Sequence, residues 1–405
     1  MHLAILTQYY PPEIGAPQKR LSELAERLVS RGHEVTVLTA MPNYPTGKVY
    51  PGYGGIWSKE IRNGVSVQRV CMYPSNSTRT IARLLSAFSF VFSSMIAGTL
   101  LLPRADALLV ESPPLFLGLS GWWLSRIKRM PLIMNVSDLW PETVAALGRL
   151  DRRSIVFRLG VRLEYWLYRS AWMVTGQARG IVDHVAAAVP DKPVYHLSNG
   201  VDTQIFRADA PKYAFTENGE GRDECLIAYC GLHGVAQGLD QVLDAAELLR
   251  DLPVTFHLFG DGAEKSALVA SAAKRGLTRV RFHDAVSADT VPGILAATDI
   301  ALVPLKTTIP GAVPSKVYEA MAASRAVILV ADGEPAEIVR KNTAGLVVSP
   351  GDINGLADAV RRLAADPALR TRLGTNGRAA VERHYSRDTI VSHFITHLTA
   401  AFRIQ

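Results

Sequence analysis

Residues 314–330, PSKVYEAMAASRAVILV, place a lysine and a glutamate one turn apart at the start of a short helix that runs on into a strand. The first turn of a helix carries partial positive charge, so a cation there is unfavourable unless an anion sits beside it. Lys316 therefore points to an anionic ligand such as a diphosphate, which the free N–H groups of the same turn would also hold. Ser315 is placed to cap that helix. Glu319, acceptor-only when ionised, suits the two hydroxyl donors of a ribose. The competing reading is an i,i+3 ion pair on a solvated face, contributing only a few tenths of a kcal/mol. It leaves the position of Lys316 unexplained.

Other candidates lie where strands end. Asp138 follows the apolar run PLIMNV in NVSDLWPE, where a carboxylate can take a proton from an incoming hydroxyl. The same residue can instead cap a helix starting near Pro141. Gly15 separates the first strand from the first helix, and GLHGVAQG (231–238), Gly260 and Gly262 follow later strands. Such turns offer backbone N–H groups to phosphate, although turns also need glycine for their own geometry. G-x-G-x-x-G after the first strand, G-x-x-x-x-G-K-[ST], D-x-D, H-E-x-x-H and G-x-S-x-G are all missing from the sequence. Dinucleotide enzymes, P-loop NTPases, acidic-metal transferases, zincins and serine hydrolases are correspondingly demoted.

These residues must be positioned by a chain of 405 residues, long enough for two domains of roughly 200. The opening β-loop-α-β unit comprises HLAILT, a Pro/Gly loop, QKRLSELAERLVSR and EVTVLTA. Strand patterns recur at 107–111, 131–136, 172–175 and 194–197, and Met41–Trp57 is expected to be a long surface loop. After the polar stretch 207–223 a second series follows: CLIAYC, VTFHLFG, VRFHD, IALVPL, AVILVA and GLVVS, separated by helical segments. Short buried strands alternating with helices imply parallel sheets with right-handed crossovers, so an α/β chain of two doubly wound domains is expected. Ligands in such sheets bind beyond the carboxyl ends of the strands, which predicts a cleft between the domains.

The three cysteines have no zinc-site spacing and suit a reducing compartment. Met1 leads directly into a strand pattern, so no signal peptide is expected. Residues 1–200 carry 22 Lys+Arg against 13 Asp+Glu, a net of +9, whereas residues 201–405 carry 22 against 24. The basic half predicts an anionic partner. Residues 84–102 are uncharged and long enough to raise the question of a membrane span. Strand patterns of one apparent sheet flank that stretch, so a buried or interfacial helix is expected instead. Residues 126–169 hold nine Lys+Arg against four acids, with Trp122, Trp123, Trp166 and Tyr168 among or beside them. This combination predicts binding to an anionic membrane surface.

RGHEVTVLTA, SNGVDTQIF and PSKVYEAMA followed by a strand resemble the retaining glycosyltransferases of family 4. NYPTGKVYPGY, NVSDLWPET and GLHGVAQGLD are similar to a bacterial branch that builds O-antigen, capsule and exopolysaccharide, including fucosamine transferases. The resemblance covers essentially the whole chain. It implies a GT-B fold, two Rossmann-like domains facing a central cleft. Residues 1–203 would bind the acceptor, residues 204–387 would bind the nucleotide-sugar donor, and the last helix (388–405) would pack back on the first domain. By the family pattern Glu319 binds the donor ribose and Lys316 the diphosphate, with Gly15 closing on that diphosphate. The loop Pro310–Val313, with Gly311 and Ala312, would lie beside the donor sugar, and the base would be read near Phe282–Val286.

Three positions depart from the pattern. Gly311 stands where the family has a glutamate, Leu232 and Gln237 occupy the basic positions of its phosphate loop, and Asp138 stands where many members carry histidine. Lys316 is left as the main donor-phosphate cation. The resemblance implies transfer with retention, needing neither metal nor cofactor, from a nucleotide sugar to a polyprenyl-diphosphate-linked glycan. UDP is the expected nucleotide and GDP the alternative. The site would lie at the inner face of the plasma membrane. A nucleotide-sugar epimerase of the same two-domain shape is the alternative activity. A nucleic-acid-binding role ranks last, because the chain has no recognisable base-reading module.

Overall fold

The structure, a computed structural model, describes residues 1–77, 79–146, 148, 150–215, 224–307, 311 and 313–403. Two compact units emerge: Met1–Asn199 with Val391–Gln405, and Gly200–Ile390.

The first unit runs β1 (His2–Leu6), α1 (Ala16–Ser30), β2 (Glu34–Ala40), β3 (Trp57–Arg62), β4 (Val65–Val70), α2 (Thr80–Leu101), β5 (Ala107–Ser112) and α3 (Leu117–Lys128). It continues with β6 (Leu132–Val136), α4 (Glu142–Ala146), α5 (Ile155–Ser170), β7 (Met173–Gly176), α6 (Arg179–Ala188) and β8 (Val194–His196). Its sheet has the order β3-β4-β2-β1-β5-β6-β7-β8, parallel throughout except that β3 is antiparallel to β4. β5 and, beyond His2, β1 are covered because helices lie over both faces of a parallel sheet, which is why they are largely apolar runs.

The β3–β4 hairpin was not anticipated. Asn63 and Gly64, both at positive φ (49° and 81°), form its two-residue turn, the geometry that matches strand twist. Trp57 accordingly starts a strand, and Met41–Asn43 of the expected surface loop are buried. The Glu13 carboxylate accepts from the backbone N–H groups of Asn43 and Tyr44, each at 2.8 Å, and so anchors that loop.

The second unit contains β9 (Cys225–Cys230), α7 (Asp240–Glu247), β10 (Val254–Phe259), α8 (Lys265–Lys274), β11 (Val280–His283), α9 (Val291–Ala297) and β12 (Ile300–Pro304). α10 (Ser315–Ala322), β13 (Ala326–Val330), α11 (Glu334–Lys341), β14 (Gly345–Val348), α12 (Ile353–Ala365) and α13 (Pro367–Ala380) complete it. All six strands are parallel, in the order β11-β10-β9-β12-β13-β14. This is the doubly wound dinucleotide-fold order, with its reversal between β9 and β12. α14 (Arg387–Arg403) begins in this unit and ends in the first. There Phe394 and His397 stand against Tyr195, and Phe402 stacks on Trp172 at 5.2 Å.

Candidate active site

In the second unit the candidate residues gather at the carboxyl ends of β9 and β12, where the strand order reverses. The loop after β9 is tied to the loop after β10 by three backbone hydrogen bonds: Gly231 N–H to Phe259 O, His233 N–H to Asp261 O and Glu264 N–H to His233 O, each 2.9 Å. Gly260 has φ +142°, and a Cβ there would lie 1.8 Å from the Gly231 carbonyl oxygen, so only glycine allows this approach.

α10 starts at Ser315, with Pro314 at the N-cap position and no side-chain cap. The expected cap by Ser315 is therefore not made; the serine is already inside the first turn, Val317 N–H donates to the Pro314 carbonyl at 3.1 Å, and among the described residues the N–H groups of Ser315 and Lys316 stay open to a ligand. The stem of Lys316 passes directly over Gly231. A Cβ at that glycine would sit 2.3 Å from Lys316 Cε and 2.7 Å from Nζ. Lys316 Nζ also lies 5.8 Å from the centre of the Tyr229 ring. Glu319 lines the same small recess as Lys316, with Ala228, Cys230 and Leu302. Burial, with the Glu319 charge adding to it and Lys316 opposing it, pushes the Cys230 thiol up to about 12.

Both charged residues are half-buried. Among the described residues, neither the ammonium nor the carboxylate has a hydrogen bond or ion pair. The i,i+3 pair that would have explained them without a ligand is not formed. Two partly desolvated, unpaired opposite charges at a strand-order reversal are a binding arrangement rather than a stabilising one.

Gln237 ends a 3-10 turn, Val235–Gln237, and its Oε1 is covered without a partner among the described residues. His233, missed in the sequence, is fully covered, and neither ring nitrogen has a hydrogen bond there. Burial and the nearby Lys265 hold its pKa below the ordinary value, with the Phe259 carbonyl opposing. Gly311 adopts φ +75° and Val313 is buried just before α10, while Ala312 and Pro310 lie outside the described residues. Phe282 stands 6.1 Å from the His233 ring, and His283 stacks on Phe259 at 4.2 Å.

The first unit holds the other two candidates. Gly15 is the N-cap residue of α1 in an extended conformation, and α1 has no side-chain cap. Asp138 follows β6 and accepts a hydrogen bond from the Thr143 hydroxyl within α4. The helix does start near Pro141, at Glu142, but among the described residues the bond Asp138 makes into it comes from the Thr143 side chain and not from a helix N–H. Burial raises its pKa, with Thr143 and the Leu139 N–H opposing. Beside it lies a polar network that sequence reasoning missed. Arg20 of α1 donates to Glu111, Gln177, Asn199 and Ser137, and Ser137 donates to Glu111. The only sequence signal was Glu111, a carboxylate inside the apolar strand ALLVES.

Comparison with known proteins now decides the class. Residues 15–200 match the family profile "Glycosyl transferase 4-like domain", and residues 214–380 match "Glycosyl transferases group 1". The chain is a glycosyltransferase. It is 26% identical over 402 residues to the putative colanic acid biosynthesis glycosyl transferase WcaI of Escherichia coli K12, covering 96% of this chain and 97% of that one. In fold it resembles sucrose-phosphate synthase from Thermosynechococcus elongatus, with a TM-score of 0.78, 18% identity and full coverage of both chains. Anabaena HepE, solved in complex with UDP, matches with a TM-score of 0.72 and 18% identity over 99% of this chain and 100% of that one. The enzyme thus has the GT-B fold, two Rossmann-like parallel-sheet domains.

Proposed function

We propose that the enzyme transfers a sugar from a UDP-sugar to a polyprenyl-diphosphate-linked glycan at the cytoplasmic face of the plasma membrane, during synthesis of a cell-surface polysaccharide. The reading rests above all on Lys316 and Glu319, two half-buried charges whose side chains have no hydrogen bond or ion pair among the described residues, at the strand-order reversal of the second unit. WcaI, named for colanic acid biosynthesis, supports the polysaccharide context, and the UDP bound by HepE supports the nucleotide. No observation favours the epimerase alternative.

In this reading the diphosphate takes the N–H groups of α10 and the Lys316 ammonium. Glu319 accepts from the ribose hydroxyls, with Gly15 and Gln237 contacting the donor and Gly311–Val313 flanking its sugar. As the bond from the anomeric carbon to the phosphate oxygen breaks, negative charge grows on the diphosphate. Lys316 and the helix end stabilise that charge where a metal serves in other transferases. The acceptor oxygen bonds to the anomeric carbon on the face the diphosphate leaves, which retains configuration, and the acceptor proton passes to Asp138. A carboxylate whose pKa is raised by burial is better matched to that task near neutral pH.

Calorimetric titration with UDP and GDP, paired with a transfer assay, tests the assignment. Each charged hydrogen bond contributes roughly 1.5–3 kcal/mol, so Lys316→Ala and Glu319→Ala should each weaken UDP binding about tenfold or more without unfolding. Asp138→Asn should keep UDP affinity and lose about 100-fold in turnover. Transfer should persist in EDTA. Unchanged UDP affinity in both donor-site variants overturns the reading.

A further inference from the structure

α2 is inside-out. Its covered side carries Ser86, Phe90, Ser94 and Gly98 at four-residue spacing, and Ser94 Oγ lies 2.8 Å from Ser120 Oγ of α3. Its opposite side holds Ile81, Leu85, Phe92, Ile96 and Leu100 out at 57–75% exposure. A surface helix in water turns its apolar stripe inward. Apart from Phe90 and Val91 the described buried residues of this helix are small or carry a hydroxyl, and small residues inside with large apolar residues outside is the arrangement of helices whose outer face meets hydrocarbon. The window Leu84–Leu101 has mean hydropathy 1.9, yet only 28% of it is buried.

α3 and α5 pack in turn beside α2, through Trp123 to Thr99 and Trp122 to Trp166. They add Trp123, Ile127, Val156 and Leu159 to the exposed apolar surface. Exposed cations surround these: Arg126, Arg129, Arg158, Arg162 and Arg169. The acids of the segment do not neutralise them. Asp138 takes Thr143, Glu142 takes Arg152, Asp151 takes the Arg153 backbone N–H, and Glu164 takes Tyr168. Among the described basic residues of 126–169, Arg152 alone has a carboxylate.

An apolar stripe beside unneutralised cations complements an anionic lipid surface. A second copy using the same face would bring like charges together. The strands flanking α2, β4 and β5, belong to one sheet, so α2 lies along the membrane instead of crossing it. We infer that α2 is an in-plane membrane helix, with its Ile81–Leu100 side in the acyl region and the arginines of α3 and α5 at the headgroups. This deepens the membrane reading above and rests on it, but not on the donor site.

Flotation of the full chain with vesicles of phosphatidylcholine, with and without phosphatidylglycerol, tests the assignment, with UDP affinity measured on the same preparations. The chain should float only with phosphatidylglycerol and should be released by salt. Leu85→Ser/Phe92→Ser/Ile96→Ser should reduce binding about tenfold or more, and Arg158→Glu/Arg162→Glu should do so at low salt. UDP affinity should stay unchanged in both. The inference is overturned if the parent chain stays unbound at low salt, or if the triple variant floats like the parent. A triple variant that turns from dimer to monomer and keeps its vesicle binding assigns the face to a second copy instead. Loss of UDP affinity in a parent chain that still floats counts against the donor site alone.

Discussion

Gly231, in the loop after β9, and Lys316, in the first turn of α10, form one steric unit. The glycine is the space through which the lysine stem runs, since a methyl group there would come within 2.3 Å of Lys316 Cε. Its φ lies outside the left-handed region, so alanine brings no backbone strain, but the methyl would also come within 2.8 Å of the buried Tyr229 hydroxyl, which donates to the Leu232 carbonyl. Gly231→Ala should therefore move the ammonium off its seat, at a modest cost in stability for displacing the Tyr229 hydroxyl. The expected result is UDP binding weakened about tenfold, close to the effect of removing the charge itself. A double-mutant cycle settles whether the two act together: adding Gly231→Ala to Lys316→Ala should cost nothing further. Full additivity would separate the glycine from the lysine.

At the scale of elements, the parallel strands were legible because buried strands are continuous apolar runs, and Cys225–Cys230 was read with its observed bounds. The β3–β4 hairpin was not, although its Asn63–Gly64 turn is a strong local signal, because WSKEIR has no buried face to give it an apolar pattern. The positions of Lys316 and Glu319 on α10 were legible from their helical register. The Arg20–Glu111 network was not, because its members come from α1 and from the end of β5 and the segments after β6, β7 and β8, and share no local spacing. Glu164 shows the same limit. On α5 it resembles a helix-face acid, yet it is 2% exposed and accepts from Tyr168 at 2.7 Å. Burial, with Glu142 adding and Tyr168 opposing, pushes its carboxyl up to about 7. The folded pKa lies above the unfolded one, so this group's contribution is largest below about pH 4.5 and is lost as pH rises to about 7. Glu164→Gln keeps the acceptor for Tyr168 without the buried charge. It should raise stability at pH 8 by on the order of 1–3 kcal/mol and change it little at pH 4, as measured by denaturant unfolding. A gain that does not vary with pH would rule out titration of Glu164 as its cause.

The whole chain is threaded so that its last segment completes its first domain. The second unit, Gly200–Ile390, is inserted between Asn199 and Val391 of the first. Within Val391–Gln405, Val391, Phe394 and Leu398 are buried, and Phe402 stacks on Trp172. Fully burying side chains of this kind contributes about 1.5–3 kcal/mol each. Their loss together approaches the 5–15 kcal/mol that typically holds a whole domain. Lys316, Glu319 and Gly231, proposed above to hold the donor, draw none of their described contacts from this segment. Ending the chain at Ile390 should therefore lower or abolish the melting transition of the first unit and leave that of the second. Calorimetry with and without UDP distinguishes the two, because a nucleotide at 100 times its Kd adds about 2.7 kcal/mol to whichever unit binds it. In the truncated chain the surviving transition should still shift upward with UDP. A truncated chain that keeps both transitions would show that the returning helix is dispensable to the first unit. One whose surviving transition no longer responds to UDP would move nucleotide binding out of the second unit.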